Sequence, residues 1–149
     1  MSVTTRPRQI VRQPTAPTRV GFGIAIAVNI ALLFVVNNLL RWGWVPFLTD
    51  DFERVLPLLN LSLTAAVVVN LAYISFSPPW FRSVGQIALN AISLAVTIRI
   101  YQVFPFDFAA YEFAWSSVAR TILVIAMVGI VVGAIAEFGR LASRITEAD

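Results

Sequence analysis

Cysteine, histidine and lysine are all missing from this 149-residue chain. Without the first two there is no disulfide, no thiol nucleophile, no imidazole base, no usual haem ligation and none of the usual zinc sites. Charge is scarce as well: 13% of the residues are charged, against about a quarter in an average soluble domain. Apolar residues reach 58%, a balance that places the chain in a bilayer. The basic residues are arginine throughout, a usage that hints at a G+C-rich bacterial genome. A net charge of +3 would point to nucleic acid in a soluble protein, but here the arginines flank apolar runs, where membrane orientation is the simpler account. Nucleic acid is therefore not an expected partner.

Four apolar runs, 20–40, 55–76, 84–104 and 117–138, each supply the roughly 20 residues that a helix needs to cross the hydrocarbon core. The expected fold is an all-α integral membrane protein, a four-transmembrane-helix bundle over residues 20–140. Ahead of it, residues 1–19 hold Arg6, Arg8, Arg12, Arg19 and three prolines, which predicts a disordered basic cytoplasmic tail that meets anionic lipid headgroups. Residues 141–149 are expected to form a short cytoplasmic tail. The first apolar run is too long for a signal peptide and no small-residue cleavage site follows Leu40, so it is read as an anchor. Seven arginines lie beside the span ends on one side and four on the other, an asymmetry that predicts both termini in the cytoplasm and a multi-pass protein of the cell membrane.

Two stretches resemble each other. "RWGWVPFLTDDF" (41–52) and "RIYQVFPFDF" (99–108) both bring an arginine, aromatics, Pro-Phe and an acid followed by Phe, and the predicted topology puts both on the outer side. Either the chain is two parallel-repeat hairpins, or interfacial aromatics, turn prolines and first-turn acids arose separately at equivalent places. The aromatic crowd from Tyr101 to Trp115 is read as an interfacial helix or re-entrant turn, or alternatively as a docking surface. Within "TDDFERVLP" the order suggests Asp50 as an N-cap with Glu53 at N3, and a kink near Pro57. Asp50, Asp51, Glu53, Arg54, Arg99 and Asp107 form a candidate outer-rim charge cluster, in which Arg99 and Arg120 either snorkel or pair with acids.

Inside the third span Gln86, Asn90, Ser93 and Thr97 recur at spacings of 4, 3 and 4, which aligns them on one helical face. Asn29, Asn60 and Asn70 add amides in the other spans, and Asn29 and Asn90 sit at similar predicted depth. Such a face is either interhelical glue or the wall of a wet path. The "GIVVG" of the fourth span places Gly129 and Gly133 in a small-xxx-small pattern, and Gly23 and Ala27 are similarly aligned in the first. Close helix packing, within the chain or with a second one, is the expectation.

An enzyme would need a nucleophile, base or metal site, and the acids of the outer loops are the sole candidates. Capping and arginine pairing account for the same residues, and no phosphate loop or nucleophile elbow occurs. The predicted function is non-catalytic: a helix-packing accessory or interaction module that binds another membrane protein or itself, without metal or cofactor. A small channel or solute carrier using the polar face of the third span is the alternative.

Overall fold

A computed structural model describes residues 19–76 and 78–146. The expected basic tail ahead of Arg19, and with it the lipid contact assigned to that tail, lies outside the described residues. Four helices are long and apolar enough to cross a membrane: α1 (Arg19–Trp42), α2 (Leu56–Ser75), α3 (Pro79–Val103) and α4 (Trp115–Thr146). At about 1.5 Å per residue, even the 20-residue α2 spans a hydrocarbon core of about 30 Å.

Successive helices run antiparallel and pack in chain order, α1 on α2, α2 on α3 and α3 on α4, with the α2–α3 seam the thinner. Between α1 and α4 there is at most glancing contact among the described residues. The molecule is thus two hairpins side by side, and the ring of a closed bundle is not completed. Its two long loops share one end, the loop end. At the other, the short-link end, residues 76–78 join α2 to α3.

Helix boundaries depart from the apolar runs where local chemistry overrides hydropathy. Pro57 does not kink a helix, because it lies in the first turn of α2, where the missing N–H has no partner to lose. The acids ahead of it form a separate 3₁₀ turn, Asp50–Arg54, flanked by Thr49, and no side chain caps it; Asp50 is inside that turn rather than an N-cap. Proline again opens α3 at Pro79, several residues before the predicted start. α4 runs through the charged segment to Thr146, because Glu137, Arg140 and Arg144 end the hydropathy without breaking the helix. Much of the predicted 141–149 tail is therefore helical.

Both α1 and α3 stop at a left-handed residue, Gly43 (φ 62°) and Phe104 (φ 45°). Glycine adopts that conformation freely, whereas phenylalanine holds it at a cost. Most of the buried side chains gather at the two ends, Phe52, Val55 and Pro105 at the loop end and Tyr73 and Ser83 at the short-link end, with Val96 buried between them on α3. The other apolar groups on the helices are only partly covered or exposed, with exposure greatest along α4, as expected for a protein whose solvent on those faces is lipid.

Candidate functional site

The repeated segments of the two loops pair with each other. Leu48 and Phe106 form an antiparallel bridge, closed by Thr49 N–H to the Pro105 carbonyl at 2.9 Å and Asp107 N–H to the Phe47 carbonyl at 2.8 Å. About the 48–106 pair the two bonds are related by a local two-fold, each donor standing one residue after a bridge member and each acceptor one residue before the other. Phe47 of the first loop then inserts among the aromatics of the second, stacked on Phe108 at 5.1 Å and edge-on to Tyr111 at 6.4 Å. The second loop is irregular: Asp107 Oδ1 accepts from Ala109 N–H at 2.9 Å, an Asx-type turn. An apolar groove of about 360 Å³ opens beside it, lined by the loop aromatics Phe47, Phe108 and Tyr111 and by Trp115, Val118, Ala119 and Ile122 of α4.

The charged residues of this rim do not converge. Asp51 and Arg54 make an exposed pair at 3.6 Å, worth little against water, while Asp50 and Glu53 are exposed and make no ion pair among the described residues. Arg99 Nε donates to the Arg54 carbonyl at 3.4 Å, which ties α3 to the 3₁₀ turn without using an acid. Arg120 lies over the rings of Phe104 at 4.2 Å and Tyr101 at 5.2 Å, a cation–π contact that ties the start of α4 to the end of α3. Backbone pairing and aromatic packing, not salt bridges, hold the loops together.

Along α3 the polar stripe bonds to itself. Gln86 Nε2 donates to Asn90 Oδ1 at 3.3 Å, and Thr97 Oγ1 to the Ser93 carbonyl at 2.8 Å. Asn29 donates to the Ala25 carbonyl and Asn70 to the Ala66 carbonyl, both at 2.7 Å, so no hydrogen bond joins Asn29 to Asn90. A reciprocal amide pair across α1 and α2 instead involves Asn37 and Asn60, at 2.8 and 3.0 Å. Asn37 also donates to the Leu33 carbonyl at 2.7 Å. Asn37 is not among the amides singled out from the sequence; its depth, about one turn before the end of α1 as Asn60 is one turn into α2, is the signal that could have matched the two.

No family model, characterised protein or solved structure matches the chain.

At the short-link end α3 and α4 are clasped by polar groups. Ser83, wholly buried, donates to Glu137 Oε1 at 2.6 Å. Arg140 Nη1 donates to Glu137 Oε2 at 3.0 Å, and Arg144 Nη1 donates to the Pro79 carbonyl at 2.6 Å and to Ser83 Oγ at 3.0 Å. Next to the clasp α2 packs tightly on α3, where Tyr73 donates to the Arg82 carbonyl at 2.9 Å and lies against Gly85.

The small residues of the candidate packing faces are open. A Cβ on Gly23 or Gly129 would meet nothing within 4 Å, and one on Gly133 would meet only Asn90 Nδ2, at 3.9 Å. Ala27 is exposed on the same helix as Gly23.

Proposed function

We propose that the protein is a non-catalytic membrane module that packs against a second membrane protein or a second copy of itself through the small-residue face of α4. The observation that carries this reading is the open surface at Gly129 and Gly133: packing within the chain leaves room for larger side chains there. In lipid, helix association depends on close van der Waals approach, and small residues permit it. The unclosed ring of helices supports the same reading, since α1 and α4 keep their outer flanks for other contacts.

In this proposal the loop end faces outward across the cell membrane of a bacterium and both termini are cytoplasmic, in accord with the excess of arginine beside the short-link end. Proximity labelling and chemical cross-linking in native membranes test the association. Gly129→Leu with Gly133→Leu is expected to abolish the cross-linked species while thermal stability in detergent stays near wild type. An unchanged cross-linking pattern overturns the assignment of the face.

One feature favours the channel or carrier alternative: Gln86, at one end of the α3 stripe, is exposed. Flux of ions and small neutral solutes into liposomes separates the two readings. Robust wild-type flux that Asn90→Leu removes without loss of stability would establish a path along α3.

A further inference from the structure

The two ends of the molecule differ in charge. Among the described residues the short-link end carries Arg19, Arg82, Arg140 and Arg144 against Glu137 alone, a net +3, whereas the loop end carries four arginines against five acids, a net −1. We propose that Arg140 and Arg144, beside the first turn of α3, bind the phosphodiester headgroup of an anionic phospholipid. The inference is independent of the partner proposed above and of which side of the membrane this end faces.

Geometry supports it in three ways. Arg140 and Arg144 are one turn apart on α4, a separation that puts their side chains about 5–6 Å apart at Cβ. Each guanidinium is tethered by Nη1, Arg140 to Glu137 and Arg144 to the Pro79 carbonyl and Ser83, while Nε and Nη2 of both have no protein acceptor among the described residues. The planar fork of arginine matches two phosphate oxygens, and tethering in advance removes part of the ordering cost of binding. Finally, the clasp is placed to meet a headgroup: its charges begin where the apolar stretch of α4 ends, and the Arg144 bond fixes them beside Pro79, next to the exposed Trp80, a residue type that favours the interface. Glu137 neutralises one of the arginines, so a zwitterionic headgroup, with its own cation, would meet a surplus of positive charge.

The test uses the full-length protein in mild detergent, with thermal unfolding followed as phosphatidylglycerol, phosphatidylcholine or inorganic phosphate is added. Phosphatidylglycerol is expected to raise the midpoint in a saturable way, and the other two to leave it unchanged. Arg140→Gln, an exposed side chain whose loss spares the Pro79 and Ser83 bonds, is expected to weaken half-saturation about five-fold, the factor for one arginine near an anionic surface. Glu137→Gln keeps an acceptor for Ser83 and releases Arg140, so half-saturation is expected to tighten; a purely structural clasp gives no tightening. Replacing Arg6, Arg8 and Arg12 by Gln is expected to leave the effect in place. Equal stabilisation by phosphatidylcholine or by inorganic phosphate overturns the proposal, as does an unaltered half-saturation in Arg140→Gln and Glu137→Gln, or loss of the effect in the tail variant.

Discussion

Asn37 and Asn60 face each other across the α1–α2 seam and exchange amide hydrogen bonds in both directions, at 2.8 and 3.0 Å. Interhelical bonds of this kind in a membrane average about 0.6 kcal/mol and reach about 1.7. A double-mutant cycle with Asn37→Ala and Asn60→Ala is expected to give a coupling of about 1 kcal/mol in steric-trapping or denaturant unfolding. Additive effects of the two substitutions would show that the pair contributes nothing beyond its separate amides.

Gly85 is the position where α2 and α3 tolerate least. A Cβ there would overlap the Tyr73 hydroxyl and stand 3.0 Å from Tyr73 Cζ and 3.2 Å from Val69 Cγ1. Gly85→Ala is therefore expected to destabilise by about 1–3 kcal/mol, the usual cost of overpacking. Removing the obstructing hydroxyl should recover part of that loss, so Tyr73→Phe combined with Gly85→Ala is expected to be less destabilising than the sum of the two singles. Unfolding midpoints of the four proteins decide it.

The spans were legible because about 20 successive apolar residues have few other uses. The equivalence of the two loops was also visible, through the repeated Pro-Phe and acid, although pairing between backbone strands leaves no mark in a match of side chains. What escaped was anything that depends on how a helix is rotated about its axis. The α3 stripe reads as one face from its spacing, yet whether Asn90 bonds to a neighbour or to Gln86 is settled by packing several residues away. Gly85 carries no pattern of its own, and its need for a bare backbone comes from Tyr73 on another helix. Charge marked where hydropathy ends, which at Glu137 is not where α4 ends.

Phe104 holds a left-handed backbone conformation (φ 45°, ψ 65°) at the end of α3, which costs a residue with a side chain about 1–2 kcal/mol relative to glycine. Its ring is retained under Arg120 at 4.2 Å, so simple truncation mixes two effects. Comparing Phe104→Gly with Phe104→Ala separates them, since both lose the ring. The glycine variant is expected to be the more stable by about 1 kcal/mol in thermal or denaturant unfolding. Equal stability would mean that the chain relaxes out of the left-handed region once the ring is gone.

The bridge between Leu48 and Phe106 makes a prediction about register. Its hydrogen bonds run between the flanking residues, so the pair itself is of the non-hydrogen-bonded kind, with Cα atoms about 4.5 Å apart, within the range that a disulfide spans. Because the chain has no cysteine, a Leu48→Cys, Phe106→Cys protein has one way to cross-link within the molecule. Mild oxidation is expected to convert it to an intramolecular disulfide, seen as a reducible shift on gel electrophoresis and by mass. Closing so long a loop is expected to stabilise the oxidised form by about 2–4 kcal/mol over the reduced one. A Leu48→Cys, Asp107→Cys control is expected to stay reduced under the same conditions, since adjacent residues of a strand point to opposite faces. Efficient cross-linking of the control in place of the first pair would shift the register by one residue. Cross-links between molecules alone would mean that the two loops do not meet within one chain.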